Sequence, residues 1–409
     1  MRSSCNRNLI QPEVTGVELY ALACFIAGYA VAVAFCEVKG FNLLVPDASE
    51  YLAWSRQWWD FHHGNVHHLP LYPMVLWLFR TASLGWLDNV LLLRTVTLVC
   101  TAVYLAMAHW IASRYFPEAR NLTAVLLGLY PFLGLSIVHT PVSDSLATCC
   151  VIGALACSLG RRWGGFALCL AAGLVCHKAI WGFLGLLALE AVARRKCPVA
   201  VPLLAGLSLA LYWAWGVSQG QELLWMVKTN LADELGTHSS LPVLDGLVGS
   251  FIYQTGAARL FRSVVVLCFF LMAVGLLVWN VRRRHSPDFF LHLALILPVL
   301  ALLAVLNQYA IWSAFYYSRP IMLSLAVTLS ASANLRKNCS GTVPIFALGT
   351  VPSFALGTVP SFAKRKWDCP LLLENRWGLG VLCVMLLASN FLYTYYIVVL
   401  HPVLYPGSS

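Results

Sequence analysis

The chain has 409 residues, of which 60% are hydrophobic and only 11% charged. Soluble domains carry roughly 25% charge, so water cannot solvate this surface alone and lipid must be part of the solvent. The net charge of +10 would suit a nucleic-acid partner, but in a membrane chain it reads first as Lys and Arg gathered in cytoplasmic loops.

Ala21 to Phe35 is apolar, and no small-residue cleavage site precedes the next charged stretch, so it reads as a retained helix. Further apolar stretches able to cross a bilayer lie at about 90–112, 121–139, 143–160, 199–217, 263–281, 289–306, 320–335 and 377–397, after a first at about 17–37. The run 164–193 is interrupted by His177-Lys178. A charged pair at mid-span is expensive, so this run reads as two short helices meeting at the far face. The expectation is an all-α polytopic membrane protein with about 11 transmembrane helices.

Basic residues orient the spans. Eighteen of the 27 fall in alternate connections, among them Arg161-Arg162, Arg194-Arg195-Lys196 and Arg282-Arg283-Arg284. The positive-inside rule then predicts a multi-pass protein of the cell membrane, amino terminus cytoplasmic and carboxyl terminus external. It accounts for the +10 with no nucleic acid as partner. Reading Leu71–Ser83 as a span would invert every later loop, so that segment is expected to lie in the outer interface. Residues 1–337 form the main transmembrane module, with external loops 38–89 and 218–262. Residues 338–376 form a cytoplasmic loop, and 377–409 supply the last helix and a short external tail. The cytoplasmic loop repeats an octad starting at Gly341, Gly349 and Gly357, whose Pro and Gly argue against a helix. It reads as a duplication in a tolerant loop. Nine of the fourteen cysteines lie in apolar runs and read as small buried hydrophobes, with no C-x-x-C pair and no zinc spacing.

The first external segment is the richest in chemistry. Tyr51, Trp54, Trp58 and Phe61 form one stripe of an expected interfacial helix. A second helix is expected over Met74–Phe79, after His67-His68-Leu69-Pro70-Leu71-Tyr72-Pro73. Asp47 stands three residues before Glu50, a capping-box spacing with Asp47 as N-cap. It is also a carboxylate at the outer face that could take a proton from a hydroxyl. Asp144 is expected in the first turn of a helix opened by Thr140-Pro141, where the helix dipole alone would favour it. His67 and His68 could add metal ligands or simply be solvated. His177, Lys178 and Arg319 are candidates for binding an anionic headgroup or phosphate, since Lys178 and Arg319 sit on the side the positive-inside rule disfavours. No G-x-G-x-x-G, Walker loop or D-x-D pair occurs, so an activated substrate would have to arrive through the membrane.

This order of elements resembles the GT-C superfamily of integral-membrane glycosyltransferases, which includes protein O-mannosyltransferases and aminoarabinose transferases. The likeness rests on Asp47-Ala48-Ser49-Glu50-Tyr51, Pro70-Leu71-Tyr72-Pro73, Arg94, Tyr130-Pro131, Ser143-Asp144-Ser145 and Tyr317-Ser318-Arg319-Pro320. Many members have Glu in place of Asp144 and Arg in place of His177-Lys178. The resemblance implies a hexosyltransferase-like enzyme that moves a sugar, with inversion, from a polyprenyl-phosphate donor to a lipid, glycan or protein acceptor on the external face. Asp47 would be the catalytic base. Glu50, Tyr51, His68, Tyr72, Asp144, His177, Lys178, Tyr317 and Arg319 would contact substrate. A divalent cation is left open, with Asp47, Asp144 and His67 as its candidate ligands. A transporter or flippase, or a polysaccharide polymerase using lipid-linked donors, would share the composition. The odd span count and the outer-face placement of the polar residues speak against a transporter.

Overall fold

The computed structural model describes residues 26–27, 29–30, 46–60, 68–128, 143–226, 271–282, 288–305 and 323–327. Helix makes up 82% of them, and no strand occurs among them. The elements are α1 (Pro46–Trp54), α2 (Leu71–Ala82), α3 (Asn89–Tyr115), α4 (Arg120–Gly128), α5 (Asp144–Leu159), α6 (Trp163–Leu174), α7 (Trp181–Arg195) and α8 (Ala200–Ser218). They are followed by α9 (Leu271–Arg282) and α10 (Phe289–Val305).

Local chemistry sets several boundaries. Asp88 caps α3, its carboxylate accepting from the Leu91 N–H at 2.8 Å. Pro117 follows α3 and opens a 3-10 turn, Pro117–Ala119, because it cannot supply the N–H that would continue the helix. Lys196 ends α7 in the left-handed region, φ 62°.

Two of the described helices, α3 and α8, are both long enough and apolar enough to cross a membrane. Shorter apolar helices are α5, α6, α9 and the stretch Phe289–Ala301. With 12 residues, α6 rises about 18 Å, well short of a hydrocarbon core of about 30 Å. The two short helices expected over 164–193 are present as α6 and α7, joined by a 3-10 turn over Lys178–Ile180.

Packing centres on α5. Its neighbours are α3, α6 and α7, while α8 lies on α6 and α10 on α7. Side-chain size explains how closely α5 and α6 approach. A Cβ added at Gly153 would meet Cys169 Sγ at 2.9 Å, and one at Gly165 would meet Cys157 Sγ at 2.8 Å. One at Gly173 would meet Leu184 Cδ1 at 2.6 Å. Small residues thus let the backbones meet and thiols fill the gaps, as in helix packing within lipid. The opposite surfaces are apolar and exposed: Leu203, Leu204, Leu207 and Leu211 on α8, Leu168 on α6 and Leu189 on α7. At the end of α7, Arg195 Nε donates to both carboxylate oxygens of the buried Glu190 at 2.9 and 3.0 Å. Arg194 lies over the Phe290 ring at 4.2 Å, tying α7 to α10.

The segment expected to be the first external loop departs from expectation in two ways. The helix begins at Pro46, a residue suited to a first helical position, so Asp47 falls inside the first turn and is not its N-cap. The helix also stops at Trp54, so the stripe does not run on as one helix to Trp58. Tyr51 and Trp54 are buried at 2% and 1% exposure and therefore belong to the core, not to a lipid-facing surface. The second helix starts at Leu71, three residues earlier than expected.

Candidate functional site

Tyr51 organises the site. Its side chain reaches from α1 to the start of α5, where its hydroxyl and that of Ser143 share a buried 2.9 Å hydrogen bond. The His68 ring lies at 4.3 Å between centroids on one side, and the Tyr72 ring meets it edge-on at 5.0 Å and 82°. Burial raises the Tyr51 pKa well above its ordinary value. The Ser143 hydrogen bond opposes this, while the charges of Asp144 and Asp47 and the Cys176 thiol add to it. The phenol therefore stays protonated and is available as a donor.

His68 is held from three sides. Its Nε2 meets Glu50 Oε2 at 2.9 Å, its ring lies against Tyr51, and its carbonyl accepts from the Tyr212 hydroxyl at 3.2 Å. The Glu50 carboxylate thereby ties α1 to the segment that leads into α2. One residue beyond Pro70, the Leu71 N–H donates to the Val175 carbonyl at 3.1 Å. The start of α2 is thereby pinned to the connection between α6 and α7.

That connection carries His177 and Lys178. Nδ1 of His177 accepts from the Ala179 N–H at 3.2 Å, capping the short 3-10 turn, and this leaves Nε2 to carry the proton of the neutral ring. Trp181 Nε1 donates to the Leu174 carbonyl at 3.0 Å and closes the turn from the other side. Burial pushes the His177 pKa below its ordinary 6.5. The negative charges of Asp144 and Asp47 oppose the shift, and His68 and Lys178 reinforce it.

These relations bring the predicted residues together. Asp47, Glu50, Tyr51, His68, Tyr72, Asp144, His177 and Lys178 gather at one end of the helix bundle, with Asp47 and Asp144 both acting on Tyr51 and on His177. Asp47 is exposed, whereas Asp144 is 6% exposed as the first residue of α5. Its Oδ1 is buried with no hydrogen-bond partner among the described residues, and the Ser145 hydroxyl beside it is in the same condition. Such groups are uncommon, because each forfeits its hydration. His67, Tyr317 and Arg319, together with Thr140-Pro141, lie outside the described residues. No group of three His, Cys, Asp or Glu side chains that could hold a metal ion gathers among the described residues.

No family model, curated protein or solved structure matches this chain. The site therefore has to be read from its own geometry. Three participants were not picked out in the sequence: Ser143 as the partner of Tyr51, Tyr212 as the support for His68, and Cys176, whose thiol approaches the Ser143 carbonyl at 3.9 Å. Tyr212 had one usable signal, its place in an aromatic cluster, Tyr212-Trp213-Ala214-Trp215, near the end of a span.

Proposed function

We propose that this chain is a multi-pass membrane glycosyltransferase that moves a hexose from a polyprenyl-phosphate donor to an acceptor hydroxyl on the external face, with inversion. The observation that carries the reading is that two carboxylates from separate helices, Asp47 and Asp144, both act electrostatically on the same pair of side chains, Tyr51 and His177. The proposal includes about eleven crossings, a cytoplasmic amino terminus and an external carboxyl terminus. Exposed leucines on α6, α7 and α8 and the apolar lengths of α3 and α8 support a lipid setting.

In this reading Asp47, exposed at the rim, accepts the proton of the acceptor hydroxyl. The acceptor oxygen attacks the anomeric carbon in line, the carbon–oxygen bond to the lipid phosphate breaks, and the electron pair leaves with that phosphate. Lys178, together with Arg319, offsets the negative charge that develops there. Glu50 and Asp144 hold acceptor hydroxyl groups, and the protonated Tyr51 supplies a fixed donor. If a divalent cation takes part, Asp47 and Asp144 are the described residues that would contribute to holding it.

The test uses the full chain in membranes supplied with radiolabelled polyprenyl-phosphate hexoses. Asp47→Asn keeps the side-chain shape and removes the base. It should insert and fold normally while losing transfer by a factor of about 10² or more. Wild-type turnover in that variant would remove Asp47 as base and overturn the reading.

A further inference from the structure

A second cationic site lies away from the Tyr51 cluster, at the far end of α2. Trp58 and Trp59, in the turns after α1, form a triangle with Trp77 of α2, their ring centroids 6.1, 6.2 and 6.3 Å apart. Arg80 follows Trp77 by one helical turn and so shares its face. Its last-turn position complements the negative end of the helix dipole, but that accounts only for the sign of the charge. The guanidinium itself is under-used. Nη2 donates to Asn89 Oδ1 at 3.2 Å, while Nη1 is buried with no hydrogen-bond partner among the described residues.

The surroundings make this more costly. Among the described residues, the charge that acts on Arg80 is that of Arg56, of the same sign, and it adds to the effect of burial in lowering the Arg80 pKa. The indole N–H of Trp58 is likewise buried without an acceptor among the described residues. The neighbourhood thus holds two like charges and two unmet donors. A water molecule could accept one bond but would not offset the charge. An acceptor-only anion does both. Just beyond it in the chain, Leu84 and Trp86 stand 84% and 87% exposed. These are apolar surfaces suited to the acyl chains attached to such an anion.

We propose that Arg56, Arg80 and the Trp58 indole form a binding site for a phosphate group, carried by an anionic membrane lipid whose chains lie over Leu84 and Trp86. The site does not depend on the glycosyl-transfer reading, since none of its residues belongs to that machinery. An anion there offsets the Arg56–Arg80 repulsion and holds the interfacial helices to the membrane surface.

The test is native mass spectrometry of the full chain, purified in neutral detergent, delipidated, and titrated with phosphatidylglycerol or phosphatidylcholine. Wild type should hold one phosphatidylglycerol more than the Arg56→Gln/Arg80→Gln double variant, with affinity at that site falling about tenfold or more. Phosphatidylcholine should show no such difference. Millimolar inorganic phosphate that displaces the lipid identifies a bare phosphate as the recognised group. Failure to displace it assigns recognition to the whole lipid. Because Arg56 is exposed, Arg56→Gln alone should leave the fold intact and should still weaken binding. Arg56→Glu supplies the missing acceptor from within the chain, and should abolish lipid retention while raising thermal stability. Equal phosphatidylglycerol retention by wild type and double variant would overturn the proposal.

Discussion

In the seam between α5 and α6, each gap left by a glycine is filled by a neighbouring side chain: Cys169 at Gly153, Cys157 at Gly165, Leu184 at Gly173. At the start of α5 the same helix presents Asp144 and Ser145, buried at 6% and 1% exposure with polar atoms left unmet. One stretch is packed to saturation with apolar groups. The other buries polar groups at a cost of about 1–3 kcal/mol each and recovers nothing within the described fold. Packing accounts for the seam. It does not account for Asp144, and a chain selected only to fold would have placed an apolar residue there.

The sharpest way to break this contrast is Asp144→Asn. If the carboxylate belongs to the working site, transfer should fall by a factor of about 10² while the melting temperature holds or rises, because a poorly partnered buried charge has been removed. Paired measurement of turnover and thermal unfolding decides it. Full activity in a more stable variant would make Asp144 a frustrated residue and no more.

Next in size is Gly173→Ala. Its new methyl would sit 2.6 Å from Leu184 Cδ1, 3.1 Å from Ile180 Cδ1 and 3.2 Å from Cys150 Cβ, so neighbours from α5, from α7 and from the turn between α6 and α7 must move together. A loss of about 1–3 kcal/mol in unfolding free energy is expected. Tyr51→Phe should follow, at about 1 kcal/mol, by breaking the buried hydroxyl pair with Ser143. Both are read from denaturation in detergent.

The pH dependence probes the polar end again. The folded chain holds His177 below its ordinary 6.5, favouring the neutral ring, whereas the unfolded chain takes up a proton near that value. The unfolded state therefore binds more protons, and stability rises with pH through this window. It should decline as pH falls below about 6.5 and continue to do so through the depressed folded value. His177→Gln should flatten melting temperatures measured from pH 7.5 to 5.

Which parts were legible in the sequence follows from the same contrast. The helices α3, α6, α7 and α8 were readable because their apolar length and the His177-Lys178 break are local signals. The gathering of Asp47, Tyr51, His68, Asp144 and His177 was anticipated only as one outer face. The details were not legible, because they rest on contacts far apart in the chain: Tyr51 with Ser143, and Tyr212 with the His68 carbonyl. A backbone acceptor leaves no mark on residue type. Asp47 is not a cap, since it lies within the first turn of α1. The stripe through Trp54 failed because aromatic spacing suits a core and an interface equally well.

The smallest effect tests the seam from the other side. Gly185 lies within α7 and, like Gly173, interrupts a helix, yet among the described residues nothing stands within 4 Å of a Cβ built on it. If the glycines of this bundle served only flexibility, Ala at both positions would act alike. If close approach is what Gly173 provides, the two must differ in sign. Gly185→Ala removes backbone freedom from the unfolded chain and meets no neighbour, so it should stabilise by about 0.5–1 kcal/mol. Thermal unfolding of the two variants under one condition makes the comparison. Destabilisation by Gly185→Ala would mean that α7 packs closely on this face too, and that the described helices are only part of what surrounds it.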